Sequence, residues 1–170
     1  MKKSFTLIEL IFVIVIIGFL ASIAVPKFMQ TKASASTSSA VGIVSSIRTA
    51  IETKHGEWII NDDLNSSNGY TPQGYPQQLD DADVNKSAQR LFDGDDTLPL
   101  LKKGVYSCSP SSGSDCWYKD KNKTDENISD YIYKFNNDDY IKLEYNGSNG
   151  KFQCVNSNSK NKTECESIIK

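Results

Sequence analysis

The chain opens with a long apolar stretch and continues as a mostly polar sequence. Residues 5–25 read FTLIELIFVIVIIGFLASIAV, carry one charged residue, Glu9, and are followed by Pro26. A helix of about 20 apolar residues is long enough to span a bilayer. Lys2 and Lys3 precede the stretch, and basic residues favour the cytoplasmic side of a membrane. The pattern predicts a single-pass membrane protein whose larger, C-terminal part is exported.

Apolar residues return at helical spacing after Pro26, which predicts that the helix continues. They recur every three or four positions and would form one buried face against a sheet: Ala40, Val41, Val44, Ile47 and Ile51. Gly56 is the predicted end of the helix, since glycine commonly follows a helix C-terminus. We therefore expect a transmembrane half over 5–25 and an amphipathic continuation over 26–56.

The rest of the chain predicts an irregular region followed by strands. Residues 57–103 contain turn signals such as Asn68-Gly69, and only 81–92 suggests a short helix,. From residue 104 to 170, alternating apolar residues and turns predict strands at 105–108, 116–118, 130–135, 140–145 and 151–155. The strand at 105–108 is a candidate partner of 116–118, and the last three form a meander. The predicted fold is α+β, with a long helix on a small antiparallel β-meander.

Four cysteines lie in the predicted exported part, where disulfides form,. Four cysteines allow three pairings. Pairing neighbours along the chain gives Cys108–Cys116 and Cys154–Cys165, each closing a loop rich in Ser, Asn or Asp. Zinc binding is the alternative, and the wide spacing of the cysteines and the distance to the one histidine, His55, argue against it,.

Glu9 is the unusual residue of the apolar stretch. A carboxylate inside a membrane span costs roughly 2.5–3.5 kcal/mol and usually has a partner, yet residues 5–26 contain no Lys, Arg or His. Cleavage between Ser4 and Phe5 would create an amine four residues from Glu9, which is one helical turn. Alternatively, Glu9 lies at the level of the lipid headgroups. A secretory signal peptide fits less well, because its apolar core is usually about 7–15 residues.

The N-terminus of the chain resembles a known segment in five successive features. They are a basic leader, a small residue, the letters FTLIEL, an apolar run containing Gly18, and Pro26 at its end. The known segment is the N-terminal segment of type IV pilins and of the pseudopilins of type II secretion and DNA-uptake systems. The resemblance implies that 1–4 is a leader, that a prepilin peptidase cleaves between Ser4 and Phe5, and that Phe5 is N-methylated. It also implies that assembly requires Glu9. Ser4 stands where the family most often has glycine.

The resemblance implies a structural subunit that polymerises into a type IV pilus-like filament or a pseudopilus. Its partners would be copies of itself, other pilins or pseudopilins, the prepilin peptidase and an inner-membrane assembly platform. The C-terminal part of the chain, which we call the head, would lie in the periplasm, or at the cell surface within a filament. Gly18 and Pro26 would let the helix bend during assembly. The type of filament system stays open. The modest head and the lack of a basic patch favour a pseudopilin over a DNA-binding tip.

The rival hypothesis is a signal-anchored periplasmic binding protein or enzyme that does not assemble. The sequence contains no Ser-His-Asp set, phosphate-binding glycine loop or paired metal-ligand motif, so we expect no enzymatic activity,. A formal net charge of −2 also argues against direct nucleic-acid binding,.

Two further surface hypotheses follow from polar motifs. Asp93, Asp95 and Asp96 surround Gly94 and suggest calcium, the one cofactor considered,. The full twelve-residue calcium loop is absent, and a solvated acidic turn is the favoured alternative. Separately, an Asn-x-Ser/Thr sequon with an acidic residue two positions before it resembles the acceptor of a bacterial N-glycosylation system. This extended form occurs at Asn65, Asn85, Asn122, Asn127 and Asn146. Chance in a chain rich in Asn, Asp and Ser is the alternative.

Overall fold

A computed structural model describes residues 6–61, 69–94, 99–111, 113–122, 127–136, 138–157 and 165. It contains one long helix and antiparallel strands, which confirms the predicted α+β fold. The elements are α1 Leu7–Asn61, β1 Arg90–Leu91, β2 Val105–Tyr106, β3 Cys116–Asn122, β4 Ile128–Lys134, β5 Tyr140–Asn146 and β6 Lys151–Ser157. The chain divides into two compact units between Ser36 and Thr37, and each is considered by itself.

The first unit is the N-terminal part of α1. Its large apolar side chains from Leu7 to Met29 are all exposed. Gly18 lies within the helix, and Pro26 does too, although proline cannot donate the usual hydrogen bond to the carbonyl four residues earlier. Within the part of the chain that the structure describes, this is the one helix long and apolar enough to cross a membrane.

In the second unit, α1 presents the predicted apolar face to the core. Ala40, Val44, Ile47 and Ile51 are fully buried, and Val41 is partly buried beside them. Their spacing of three or four residues places them on one side of the helix, so this prediction is confirmed.

The prediction that the helix ends at Gly56 is wrong, because α1 continues to Asn61. Side chains from this last stretch pack on the head: the His55 ring stacks on Tyr75 at 4.0 Å and on Trp58 at 6.0 Å between centroids. A glycine inside a helix costs only about 1 kcal/mol relative to alanine, so such packing readily outweighs it.

The main sheet has the order β3-β4-β5-β6, with every neighbouring pair antiparallel. The predicted meander is thus confirmed, with β4, β5 and β6 each somewhat longer than expected. In the register, Lys119 lies opposite Tyr131, Tyr131 opposite Leu143, and Leu143 opposite Cys154. Because side chains alternate along a strand, this row shares one face of the sheet, and its members are all buried.

The predicted short helix over 81–92 is absent, and that prediction is wrong. Residues 81–89 contain turns and bends and no helix, and β1 follows. Asn85, Ala88 and Phe92 have φ values of 56°, 59° and 61°, which lie in the left-handed region and cannot continue a right-handed helix. The Asp80 carboxylate accepts backbone N–H bonds from Ala82 and Phe92, which gives this backbone partners outside a helix.

The short strand β2 pairs with β1 rather than with β3. The expected pairing of 105–108 with 116–118 is limited to one isolated parallel bridge between Ser107 and Trp117. The backbone N–H of Cys108 donates to the Trp117 carbonyl at 2.9 Å. The region 57–103 is therefore less irregular than predicted, since it contributes β1 to a small second sheet.

One core joins the helix, the irregular region and the main sheet. At its centre, the ring of Phe92 contacts those of Trp117, Tyr131 and Phe152 at 5.3, 4.7 and 6.0 Å between centroids. The guanidinium Nε of Arg48 on α1 donates to the Phe152 carbonyl at 2.9 Å. Burial lowers the pKa of Arg48, and its bond to Phe152 joins the helix to β6 of the main sheet.

Both disulfides join cysteines that are neighbours along the chain. Cys108 is bonded to Cys116 across a separation of 8 residues, and Cys154 to Cys165 across 11. Of the pairings that the sequence left open, the structure has this one.

Candidate assembly segment at the N terminus

The first turn of α1 is closed by a reciprocal pair of residues, Thr6 and Glu9. One carboxylate oxygen of Glu9, Oε2, accepts the Thr6 backbone N–H at 2.9 Å and the Thr6 hydroxyl at 2.7 Å. The Glu9 backbone N–H in turn approaches the Thr6 hydroxyl oxygen at 3.4 Å. This is a capping box, in which Thr at the N-cap and Glu three residues later satisfy each other's backbone groups.

The capping box gives Glu9 a partner that the sequence analysis missed. The sequence offers no cation nearby, but Thr6-Leu7-Ile8-Glu9 matches the capping pattern and precedes an apolar run,. Hydrogen bonds stabilise the charged form of a carboxylate, and a negative charge is also favoured at a helix N-terminus. A single chain can therefore hold Glu9 at the start of the span without a cation nearby.

Apart from Glu9 and its partner Thr6, the surface of the first turns of α1 is apolar and uncovered in a single chain. Exposed side chains surround the helix on all sides, Leu7 and Ile8 among them at 76% and 74% of full exposure. A helix that is apolar all round is normally buried in a protein core or in lipid. This segment therefore requires either a bilayer or other helices against it.

The other predicted assembly residues lie in the same helix. No atom outside the local helix backbone lies within 4 Å of where a Gly18 side chain would begin. Pro26 follows eight positions later inside α1. Ser4 and Phe5 lie outside the described residues, so cleavage and methylation there stay predictions.

The calcium hypothesis falls largely outside the described part of the chain, because Asp95 and Asp96 are not in it. Asp93 binds Arg90, with the Arg90 Nε 3.1 Å from the carboxylate. Among the described residues no group of three His, Cys, Asp or Glu side chains is arranged to hold a metal.

The proposed glycosylation sites fall in different surroundings. Asn85 lies in an exposed turn, Asn127 directly precedes β4, and Asn146 ends β5. Asn122 ends β3, and Asn65 lies outside the described residues.

The head also contains a buried ion pair that the sequence pattern does not predict. Lys119 Nζ lies 3.2 Å from the Asp80 carboxylate, and their side chains are 1% and 0% exposed. Burial, with the negative charge of Asp80 nearby, raises the pKa of Tyr131 well above its ordinary value. The pair ties the loop after residue 79 to β3, and its sealed position indicates a structural role.

The comparisons with known proteins bear on the N-terminal segment. Residues 1–25 match the model of the prokaryotic N-terminal methylation motif. The chain is also 47% identical over 51 residues to a fimbrial protein of Pseudomonas aeruginosa, which covers 30% of this chain and 33% of that protein. Residues 1–25 thus carry a methylation motif, and about a third of the chain is similar to fimbrial proteins.

Further relatives match a part of this chain of similar length. It is 45% identical over 53 residues to the type IV major fimbrial protein FimA of Dichelobacter nodosus, covering 31% of this chain and 34% of that protein. It is 39% identical over 64 residues to a fimbrial protein of Neisseria meningitidis, covering 36% and 38%. The match thus spans about a third of each relative. No solved structure matches this chain significantly.

Proposed function

We propose that this protein is a structural subunit, a pilin or pseudopilin, that polymerises into a filament of the type IV pilus class. The observation that carries the proposal is a methylation motif on a helix whose apolar side chains from Leu7 to Met29 are all uncovered. In a filament, the same segments of other subunits would bury this surface. The relatives are fimbrial proteins, which supports a structural rather than an enzymatic role.

Before assembly, the subunit would be an inner-membrane protein with its head in the periplasm. Lys2 and Lys3 ahead of the span support this orientation,. The disulfides Cys108–Cys116 and Cys154–Cys165 support an oxidising compartment for the head,. The prepilin peptidase would cleave between Ser4 and Phe5 and methylate Phe5, and an assembly platform would then extract the subunit from the membrane.

Glu9 would then pair with the Phe5 amine of a neighbouring subunit. Both bonds from Thr6 end on Oε2, so among the described residues Oε1 is left to accept a bond from an amine. The pair would neutralise two charges in an apolar core, whereas a subunit docked in the wrong register would leave each charge without its partner. Removing one partner of a buried pair costs about 3–5 kcal/mol, so the contact would select the correct register.

The names of the relatives favour a surface pilus over the pseudopilus of a type II secretion or DNA-uptake system. Those relatives are fimbrial and major fimbrial proteins. The sequence favours a pseudopilus only through the modest size of the head and the lack of a basic patch. We therefore propose the surface pilus as the more strongly supported filament.

Substitutions at Glu9 separate the charge from the cap. Glu9→Gln keeps an oxygen that can accept both Thr6 bonds, since Gln also serves in a capping box, but it removes the charge. We expect Glu9→Gln and Glu9→Ala to reach the membrane at normal levels and to form no filaments. The control is Glu52→Ala, which removes an exposed carboxylate elsewhere on α1.

The measurements are immunoblots of membrane and shear-released fractions, and electron microscopy of cells. Normal filaments from Glu9→Gln would mean that assembly needs the cap and not the charge, and the ion-pair mechanism would be wrong. A wild-type protein that stays uncut and monomeric beside its peptidase and platform would favour the rival reading, a signal-anchored periplasmic binding protein or enzyme.

A further inference from the structure

The extended sequons of this chain differ in how accessible they are in the folded protein. Each has an acidic residue, any residue, Asn, any residue, and Ser or Thr. An enzyme that modifies the Asn must bind the whole motif, and such acceptors are surface loops. The structure describes the side chain of the central Asn in three of them: Asn85, Asn127 and Asn146.

The motif around Asn85 is exposed along its whole length. The side chains of Asp83, Val84, Asn85, Lys86 and Ser87 are all exposed, and the segment forms a turn. Asn85 has a φ of 56°, a conformation that Asn tolerates better than most residues. Its backbone N–H donates to the Lys119 carbonyl at 2.8 Å, so the turn is fixed to β3 while the amide side chain points to solvent.

The acidic residue of this motif is held in its charged form. Hydrogen bonds from Lys86 and Gln89, together with the positive charge of Lys86, lower the pKa of Asp83 below its ordinary value. Its carboxylate is itself exposed. An enzyme that recognises a negative charge two positions before the Asn would therefore find the Asp83 carboxylate charged at neutral pH.

The motif around Asn127 is not fully accessible, because its last residue lies in the strand that follows. Its serine, Ser129, is only 3% exposed and lies in β4 opposite Tyr145 of β5. An enzyme could not reach the Ser129 hydroxyl without separating these strands. Asn127 is thus a poor acceptor in the folded protein.

The motif around Asn146 is held in place on both sides of the Asn: the residue before it is buried in the core, and the residues after it form a turn. Tyr145 is fully buried, and its hydroxyl donates to the Pro76 carbonyl at 2.6 Å. The side-chain oxygen of Asn146 accepts the backbone N–H of Ser148 at 2.9 Å. Modification here would require this end of β5 to leave the sheet.

We propose that Asn85 is an N-glycosylation site of the folded, exported protein. The enzyme would be a membrane-bound oligosaccharyl transferase that reads the Asp83 carboxylate, and the donor a polyprenyl-pyrophosphate-linked oligosaccharide. The Asn85 Nδ2 attacks the anomeric carbon of the first sugar, a C–N bond forms, and the bond from that carbon to the pyrophosphate oxygen breaks. One Nδ2 proton passes to a base of the enzyme, and the lipid pyrophosphate leaves. The proposal needs export of the head but not filament assembly.

Glycopeptide mass spectrometry of the full chain, purified from the membranes of the cells that naturally produce it, tests this proposal. We expect a glycan on Asn85 and bare asparagines at 127 and 146. Asn85→Gln should abolish this glycan, and Asp83→Asn should too, although it leaves the Asn-Lys-Ser core of the motif intact. Asp83→Glu should preserve the glycan, and Asn146→Gln, the matched control, should leave the mass of the protein's glycan unchanged.

A bare Asn85 in the native protein would overturn the proposal. So would an unchanged glycan on Asn85 in the Asp83→Asn protein, because the acidic residue would then have no part in recognition. These results are independent of the filament proposal, which depends on Glu9 and is read out by assembly.

Discussion

Replacing Lys119 by Met should destabilise the head strongly, because it leaves a charge buried without its partner. Met keeps the apolar length of the lysine side chain but removes the ammonium group. Lys119 Nζ donates to the Asp80 carboxylate at 3.2 Å and approaches the Asp80 carbonyl at 3.4 Å. The Asp80 carboxylate would remain in the core, where it still accepts the backbone N–H groups of Ala82 and Phe92.

The size of the effect follows from the geometry. Two unit charges at 3.2 Å attract each other by roughly 5 kcal/mol at an effective dielectric constant of about 20. Removing one partner of such a buried pair typically costs about 3–5 kcal/mol. The two remaining backbone bonds to Asp80 place the expected loss near the lower end, about 3 kcal/mol. For a domain of this size that corresponds to a fall in Tm of roughly 10 °C.

The assay is thermal and urea unfolding of the full chain in detergent micelles, followed by tryptophan fluorescence. The control is Lys86→Met, which removes an exposed lysine that pairs with Asp83 and should cost about 0–1 kcal/mol. If Lys119→Met lowered the free energy of unfolding by less than about 1 kcal/mol, the ion pair would not have the predicted role, since a buried charge that loses its partner is expected to destabilise the fold by more.

Two further substitutions test the packing of the head. Gly74→Ala should lower the free energy of unfolding by at least about 1–2 kcal/mol, because Gly74 has a φ of +80° and an added Cβ would lie 2.2 Å from the Trp58 ring. Gly42→Ala, in a helical position with nothing within 4 Å, should instead be neutral or stabilising in the same unfolding assay, and equal effects would contradict this. Tyr131→Phe should reduce the loss of stability at high pH. Burial raises the pKa of Tyr131, so above pH ~10 the unfolded chain releases a proton that the folded protein keeps, and the free energy of unfolding falls by up to about 1.4 kcal/mol per pH unit. Tyr106→Phe, at a 70% exposed position, should leave the pH dependence unchanged, and a similar change in both variants would refute the assignment.

The predictable parts of the fold are those in which one strong periodicity decides the structure. The stripe through Ala40, Val44, Ile47 and Ile51 has helical spacing and is buried as expected. The alternation in 140–145 likewise gave a strand with one buried face, which the structure has as β5. In both cases the pattern alone determines which face enters the core.

The poorly predicted parts are those decided by contacts between distant residues. Residues 81–92 have apolar residues at helical spacing, yet the Asp80 carboxylate, itself neutralised by Lys119 from 39 residues away, binds their backbone in turns. No local signal encodes that pair. The helix passes Gly56 because His55 stacks on Tyr75, twenty positions along the chain. Such contacts override local propensity.

At the candidate assembly site the sequence located Glu9 but not its partner. A charge in an apolar span is unfavourable, so the sequence points first to a cation as its partner. In a single chain the Thr6 hydroxyl and backbone N–H bind Glu9 instead. The capping pattern of residues 6–9 is local and therefore predictable, but the apolar composition of the stretch draws attention to the membrane span and away from the start of the helix.

The measurement that tests the filament proposal most directly is the intact mass and N-terminal sequence of the protein in sheared surface filaments. We expect the filaments to contain this chain. The chain should begin at Phe5 and carry one added methyl group on the Phe5 amine. A chain that begins at Met1 and occurs only in the membrane would make the apolar segment an ordinary anchor. A soluble chain that begins near Val25 would mean that the segment is a signal peptide, and either result would contradict a filament held together through Glu9.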